Sequence, residues 1–331
     1  MIDVLPRLFE FQDRILDAVR NALAGATTDQ LGRAARDGCG AEDVVFGIDV
    51  PAEDVLLDAC AEWGRHQSFV LLAEGIEPEG RHFGGAAPQF RVIVDPVDGS
   101  RGLMHDKRSA WSLAAVAEDH GAATRMRHVI AAVMTELPTT RQGFVDRLWA
   151  RRDGPAQGER RNLFTGERLP LRVAPSQATT LRHGFATVCD FFPGGKEVLG
   201  RLAERILQTE LGGWDPQKAE VFSDQYISSG GQLAELMLGR DRFVLDVRPW
   251  IYHSLGVTSS LCCRPYDLCT SLIASRAGVV VREPDGAPFD PPLDVSTNVA
   301  FAGYANAALA DRMTPIVAAA LDELDLRRPP R

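Results

Sequence analysis

The sequence has few of the features that mark a nucleic-acid-binding or membrane-spanning protein. It contains only three lysines, and its 36 basic residues are outnumbered by 45 acidic ones, which gives a net charge of −9. An acidic chain repels nucleic acids and anionic membrane surfaces, so we expect neither a nucleic acid polymer nor a membrane as partner. No apolar run approaches the ~20 residues that a membrane-spanning helix needs. The first residues lack a basic region followed by an apolar run, so we expect no secretory signal and a cytoplasmic location.

The spacing of the cysteines and histidines argues against a cysteine zinc site and against a histidine metal site. The six cysteines form no C-x-x-C pairs at zinc spacing, and we expect reduced, mostly buried thiols. The seven histidines are scattered, without an H-x-H or H-E-x-x-H pattern, so we expect no histidine metal site.

What the chain does have is enough apolar residues for a large core, with 45% of its 331 residues hydrophobic. We expect two domains, residues 1–178 and 179–331. Strand and helix patterns are mixed in both, which indicates layered α/β or α+β architecture. The patterns predict strands at 44–48, 68–73, 90–94, 112–118, 129–135, 148–150, 171–173, 242–245 and 279–281. They predict helices at 9–23, 51–63, 196–207, 231–238, 267–276 and 305–324, and a polar linker at 157–165.

The segment D-P-V-D-G-S, residues 95–100, is the most informative part of the sequence. An apolar strand delivers Asp95 to its end, and a tight turn through Pro96 brings Asp98 beside it. With the Val97 carbonyl, these carboxylates form a set of hard oxygen ligands suited to Mg²⁺. Gly99 allows close approach of a ligand, and the amides of Gly99 and Ser100 are placed to donate to an anion. The alternative is an aspartate-rich turn that bonds its own amides.

Other acidic residues fit the same interpretation. Glu74 closes a predicted strand, and Asp49 and Asp267 stand where a strand or loop meets a helix. Taken singly, Glu74 also fits a surface charge, and the two aspartates also fit helix N-caps. The small residues at Ser229 and Gly230 precede a helix, where free amides bind anions. That loop also fits a plain helix cap.

Together these residues resemble the inositol monophosphatase family, within the superfamily of magnesium-dependent, lithium-sensitive phosphatases that includes fructose-1,6-bisphosphatase. The resemblance extends from about residue 40 to 305 and rests mainly on D-P-V-D-G-S. It implies an α-β-α-β-α sandwich of the sugar-phosphatase type, a small phosphorylated metabolite as substrate, two or three Mg²⁺ ions and a homodimer.

The resemblance also implies roles for individual residues. The implied metal ligands are Glu74, Asp95, the Val97 carbonyl, Asp98 and Asp267. The residues expected to act on the attacking water are Asp49, Glu74 and Ser100. Those expected to contact substrate are Gly99, Ser100, Ser229, Gly230 and Asp267. The reaction expected is hydrolysis of a phosphomonoester by metal-activated water, without a covalent phosphoenzyme.

The sequence departs from the family pattern at several positions. Gly75 stands where the family has a second acid, Tyr266 replaces a tryptophan, and Ser260 replaces an inositol-contacting glutamate. The segment 246–264 is longer than in compact members. These changes leave other substrates open, namely a fructose-1,6-bisphosphate or a 3′-phosphoadenosine nucleotide. They also leave open a non-catalytic homologue that binds a metal or a partner.

Overall fold

The computed structural model describes residues 3–36, 44–213, 215 and 217–329. The helices in these ranges are α1 (Leu5–Gly25), α2 (Thr28–Leu31), α3 (Val50–Gly64), α4 (Ser100–Met104), α5 (Lys196–Leu211), α6 (Ser229–Met237), α7 (Arg248–Ser254), α8 (Ser271–Ala277) and α9 (Ala307–Glu323). The strands are β1 (Ala34–Arg36), β2 (Val45–Phe46), β3 (Phe69–Ala73), β4 (Arg81–Phe83), β5 (Phe90–Asp98), β6 (Ala110–Glu118), β7 (Val129–Leu137), β8 (Phe144–Arg151), β9 (Gln157–Asn162), β10 (Arg168–Pro170), β11 (Gly184–Val188), β12 (Val221–Phe222), β13 (Asp241–Asp246), β14 (Val280–Arg282) and β15 (Phe301–Tyr304).

The strands form two main sheets. The larger has the order β10-β9-β8-β7-β6-β5-β3-β4, in which only the β3–β5 pairing is parallel. The smaller has the order β12-β11-β13-β15-β14, with β11 parallel to both of its neighbours. A two-stranded ribbon, β1-β2, stands apart from both.

Alternation of apolar residues along the strands places helices on both faces of the larger sheet. Val92 and Val94 of β5 join the apolar cluster under α1 and α3, whereas Ile93 joins the cluster on the other face. Helices α6 and α8 occupy that other face, and α6 also contacts the smaller sheet. Helices α5 and α9 cover the far side of the smaller sheet. The layers are therefore α-β-α-β-α, which confirms the predicted fold class.

Two predictions of local structure were wrong. The segment predicted as a polar linker, 157–165, contains strand β9, and 171–173 is not a strand, since β10 lies just before it. Charged pairs rather than apolar contacts hold β9: Arg160 binds Asp146 of β8 at 2.6 Å, and Arg168 of β10 binds Glu159 at 2.5 Å. Such cross-strand pairs stabilise an edge without the hydrophobic alternation by which strands are recognised.

The predicted helix 267–276 is divided. Tyr266–Leu268 forms a single 3₁₀ turn, and α8 begins only at Ser271. The five described cysteines are buried and unpaired, as predicted, while Cys39 lies outside the described residues. The division into domains at 178/179 stays a prediction.

Candidate active site

Glu74 and Asp95 meet because their strands are parallel neighbours. Ala73 of β3 pairs with Val94 of β5. The next residues along the two strands, Glu74 and Asp95, therefore lie side by side at the same edge of the sheet. Both side chains line one cleft, and the Glu74 charge acts on Asp95. The parallel register therefore explains how two acids 21 positions apart come together.

A bulge in β5 turns the second aspartate into the same cleft. Asp95 pairs with Leu113 and Asp98 with Trp111, so Pro96 and Val97 together oppose one residue of β6. The Val97 amide donates to Asp95 Oδ1 at 3.0 Å. The alternative interpretation of this segment was an aspartate-rich turn that bonds its own amides, and this bond is of that kind. It is present together with the clustering of the carboxylates.

The strand ends at Gly99, whose φ of +105° is unfavourable for any residue with a Cβ. A Cβ there would lie 3.1 Å from both the Ile227 carbonyl oxygen and the Ser228 Cβ. Gly99 thus lets the chain pass close to the loop before α6 and enter α4. Both Gly99 and Ser100 line the cleft, and their contact with a substrate phosphate stays a prediction.

The start of α6 binds an anion that belongs to the chain itself. Asp98 Oδ2 accepts bonds from Ser228 Oγ at 2.8 Å and from the Gly230 amide at 2.7 Å. The Ser229 amide also donates to the Asp98 carboxylate. The sequence analysis assigned the Gly230 amide to a substrate anion, but in the structure this amide donates to Asp98. Ser229 lines the cleft.

Asp267 completes a cluster of three buried or half-buried carboxylates. Its 3₁₀ turn places it beside β5, where the Arg264 amide donates to its Oδ2 at 2.6 Å. Asp95, Asp98 and Asp267 each offer an oxygen within 4.8 Å of the others. The alternative role of Asp267 as a helix N-cap does not hold, because α8 begins only at Ser271 and Thr270 stands at its N-cap position.

The three carboxyls have raised pKa values. Burial is the main cause in each. Repulsion adds to it for Asp95, from Glu74, Asp98 and Asp267, and for Asp98, from Asp267. The pKa of Asp98 rises to about 8, although Ser228 and the α6 amides oppose the shift. Burial likewise raises the pKa of Asp267. Crowded buried carboxylates are costly without a cation, and clustered oxygen donors are the ligands that Mg²⁺ takes, so the residues fit a divalent ion of this kind.

Asp49 and Ser100 form a pair next to the cluster. Ser100 Oγ lies 2.5 Å from Asp49 Oδ1 and 2.9 Å from the Val97 carbonyl oxygen, and the Phe46 amide donates to Asp49 Oδ2 at 2.9 Å. Asp49 stands at the N-cap position of α3 but makes no capping bond. Burial raises the pKa of Asp49 to about 6, against the effect of its two hydrogen bonds.

Sequence reasoning did not find several residues that line the cleft. They are Phe191, Phe192, Ile227, Arg248, Leu261 and Cys262. They come from loops and from the start of α7 in the C-terminal half, and no spacing rule connects them to the acidic motif. Arg101, which directly follows D-P-V-D-G-S, also lines the cleft, as do Ser260 and Tyr266.

The fold is shared with several solved structures. An extragenic suppressor protein suhB from Bartonella henselae is 16% identical with a TM-score of 0.61, over 96% of this chain and 98% of that one. A Leishmania major fructose-1,6-bisphosphatase is 12% identical with a TM-score of 0.69, over 96% and 93%. A Thermotoga maritima IMPase is 17% identical with a TM-score of 0.59, over 96% and 98%.

These likenesses confirm, at the level of the fold, the predicted resemblance to the inositol monophosphatase and fructose-1,6-bisphosphatase superfamily. No protein-family profile matches the chain, and no curated protein matches its sequence. Among the described residues, no helix has the length and apolar character needed to cross a membrane.

Proposed function

We propose that this protein is a Mg²⁺-dependent phosphomonoesterase that hydrolyses a small phosphorylated metabolite. The observation that carries the proposal is the carboxylate cluster of Asp95, Asp98 and Asp267 in a cleft that Ser100 also lines. Ser100 in turn donates to the buried Asp49. A purely structural cluster of acids gives no reason for a hydroxyl–carboxylate pair next to it. The fold shared with a solved fructose-1,6-bisphosphatase and a solved IMPase supports the same conclusion.

We propose five groups as metal ligands: the carboxylates of Asp95, Asp98, Asp267 and Glu74, and the carbonyl of Val97. When bound there, Mg²⁺ neutralises the carboxylates, attracts the phosphate dianion and makes water more acidic. The number of ions proposed is two or three, as the resemblance implies.

The chain's own residues position and deprotonate the attacking water. Ser100 donates its hydroxyl proton to Asp49, which leaves its oxygen lone pairs to accept a hydrogen bond from water. Asp49, with its pKa at about 6, accepts a proton near neutral pH, the range in which a general base works best. The amides of Gly99 and Ser100 are the proposed donors to the substrate phosphate.

The test is phosphate release by the Asp98→Asn variant in the presence of Mg²⁺. Asn keeps the size and the bonds from α6 but removes a charged ligand, and we expect turnover to fall by more than ~100-fold, since even changes beyond the direct ligands cost ~10–100-fold. Asp17→Asn, an exposed change on α1, is the matched control and retains full activity.

Near-normal turnover by Asp98→Asn would reject the proposal. Metal binding by the wild type without hydrolysis of any ester would instead favour the non-catalytic homologue.

The proposal extends to the protein's assembly and location. The resemblance favours a homodimer, and the pattern of reduced cysteines favours the cytoplasm. The domains proposed are residues 1–178 and 179–331. Sedimentation analysis of the purified chain tests the dimer, and a monomer across the micromolar range contradicts it.

A further inference from the structure

Each aspartate of the carboxylate cluster has one oxygen held by a backbone amide. These contacts are Val97 N to Asp95 Oδ1 at 3.0 Å, Gly230 N to Asp98 Oδ2 at 2.7 Å and Arg264 N to Asp267 Oδ2 at 2.6 Å. Asp98 also accepts a bond from a side chain, the hydroxyl of Ser228, at 2.8 Å. A substitution at Ser228 therefore changes the hold on one carboxylate while the backbone contacts stay in place.

The Ser228 hydroxyl makes two bonds that use it in different ways. Its oxygen accepts the Gly231 amide at 2.9 Å, which caps the start of α6, and its proton is donated to Asp98 Oδ2. A serine hydroxyl has one proton, so these two bonds fix its direction. Only 3% of Ser228 is exposed, which leaves little solvent to compete for either bond. The hydroxyl thus connects the start of the helix to the acidic motif in one orientation.

A helix cap accounts for only one of these two bonds. The capping side chain needs an oxygen that accepts an amide, and it need not donate anything in return. The donated bond goes to a carboxylate, and hydrogen bonds to charged groups are stronger than those between neutral groups. The bond to Asp98 therefore needs a reason of its own.

The bonds to Oδ2 determine which oxygen of Asp98 is left for an ion. A carboxylate oxygen has about two lone-pair positions, and Ser228 and Gly230 together take both of them on Oδ2. The Ser229 amide also donates to this carboxylate and takes at most one position on Oδ1. At least one position on Oδ1 stays available, so Oδ1 is the oxygen suited to be a metal ligand.

We propose that Ser228 is a positioning residue, which holds Asp98 so that Oδ1 is presented to the divalent ion and Mg²⁺ binds more tightly. This inference rests on the proposed function, because it requires the ion at Asp98. Without the hydroxyl, Asp98 keeps the Gly230 amide but gains rotational freedom, and binding an ion then has to fix the side chain again. The other explanation is that Ser228 only caps α6.

Calorimetric titration of the full chain with Mg²⁺ measures the affinity directly, without a substrate. Ser228→Ala removes both bonds of the hydroxyl. Ser228→Gly removes the same two bonds, but glycine suits the N-cap position nearly as well as serine does. If Ser228 positions Asp98, both variants bind Mg²⁺ roughly 10- to 100-fold more weakly than the wild type. If Ser228 only caps the helix, the glycine variant keeps most of the wild-type affinity.

Asn306→Ala is the matched control for the loss of a helix cap. The Asn306 side chain accepts the Leu309 amide at 2.9 Å at the start of α9, and Asn306 is not among the described residues that line the cleft. We expect this variant to melt at a lower temperature than the wild type and to bind Mg²⁺ with unchanged affinity. Thermal melting verifies that all the variants are folded.

Phosphate release gives a second measurement on the same variants. Both Ser228 variants need more Mg²⁺ for half-maximal activity, by the factor that calorimetry gives, whereas kcat at saturating Mg²⁺ changes little. A loss of kcat that saturating Mg²⁺ does not restore would contradict a role in ion binding.

The outcomes separate this inference from the proposed function. Wild-type Mg²⁺ affinity in either Ser228 variant overturns the positioning role, as does an equal loss of affinity in Asn306→Ala. Weaker Mg²⁺ binding by both Ser228 variants supports the role even where the wild type hydrolyses no ester, a result that would reject the phosphatase function alone. A wild type that does not bind Mg²⁺ rejects both.

Discussion

Ser100 has one hydroxyl proton and two acceptors within reach, the Asp49 carboxylate and the Val97 carbonyl. The shorter distance, 2.5 Å, is to the charged acceptor, as expected for a charge-assisted bond. Since the Val97 carbonyl is also a proposed metal ligand, Ser100 stands between the metal site and the proposed base. A small residue with a hydroxyl is therefore required at this position.

We expect Ser100→Ala to lower kcat by roughly 10²- to 10⁴-fold, the usual contribution of a positioned acid–base group. Ser100→Thr keeps the hydroxyl and serves as the matched variant, with kcat within a fewfold of the wild type. Phosphate release at saturating Mg²⁺ measures both. Comparable rates for the alanine and threonine variants would show that the hydroxyl takes no part.

Asp241, at the start of β13, is an acid with an abnormal pKa outside the cleft. Burial, together with the carboxylates of Glu235 and Asp224, raises its pKa to about 7, despite Arg108 and Arg240. A carboxyl whose pKa is raised by folding favours the folded state only while protonated. Its contribution is complete below its unfolded pKa of about 4 and is lost as the pH rises through 7.

Replacing Asp241 with Asn therefore stabilises the protein at pH 8 and has little effect at pH 4. We expect a gain of about 1–3 kcal/mol in the free energy of unfolding at pH 8, since each pKa unit corresponds to about 1.4 kcal/mol. Urea unfolding at both pH values measures it, with the exposed Asp54→Asn as control. A gain that does not grow with pH contradicts the assignment.

At the scale of elements, the bulge of β5 and the start of α6 fit closely together. Gly230 faces Leu113 of β6, and an added Cβ would lie 2.5 Å from Leu113 Cδ1 and 2.9 Å from Asp98 Oδ2. Leu113 is fully buried, and Asp98 is held by its bonds to α6, so neither neighbour has room to move. The glycine allows the helix to approach the strand that carries the acids.

Gly230→Ala should therefore destabilise the protein by about 1–3 kcal/mol through overpacking, and disturb Asp98 enough to lower phosphatase activity. Gly200→Ala in α5 is the matched control, because nothing lies within 4 Å of its added Cβ. That change is expected to stabilise the helix by up to about 1 kcal/mol. Urea unfolding of the two variants distinguishes close packing from helix propensity, and a stabilised Gly230→Ala would contradict the packing argument.

The sequence predicted the elements that follow simple rules and missed those that do not. Apolar strands such as β3 and β5 were predicted, and with them the acids at their ends. Strand β9 was missed because charged pairs stabilise it. The anion at the start of α6 was assigned to the substrate, because a sequence cannot show that Asp98, 132 positions before Gly230, is the group that reaches it.

The residues that line the cleft from the C-terminal half could not be predicted from the sequence either. Arg248 and Asp246 are close in sequence, yet nothing in the spacing indicates a buried pair facing residues 95–100. Phe191 and Phe192 come from a loop after β11, and only the packing of the smaller sheet brings that loop to the acidic motif. Residues that meet through packing of distant layers leave no periodic pattern.

At the scale of the whole molecule, the proposed metal site joins the two halves of the sandwich. Asp95 and Asp98 belong to β5 of the larger sheet, whereas Asp267 lies in a turn between β13 and β14 of the smaller one. Repulsion between these carboxylates opposes the contact of the layers, and a shared divalent ion reverses it. Ion binding should therefore stabilise the entire fold and not only the cleft.

The prediction is that Mg²⁺ raises the melting temperature of the wild type. A ligand that binds only the folded state adds about 2.7 kcal/mol at 100 times its Kd, so the shift grows with the logarithm of Mg²⁺ concentration. Calorimetry with Mg²⁺, with a chelator and with Na⁺ at equal ionic strength separates specific binding from screening.

Asp267→Asn provides the comparison, because it removes the one carboxylate of the three that comes from the smaller half. Without Mg²⁺, this variant melts at a temperature equal to or above that of the wild type, because it relieves repulsion. With Mg²⁺, most of the wild-type shift is absent, because the ion no longer bridges the layers. An equal Mg²⁺ shift in both proteins would place the ion elsewhere and separate Asp267 from the metal site.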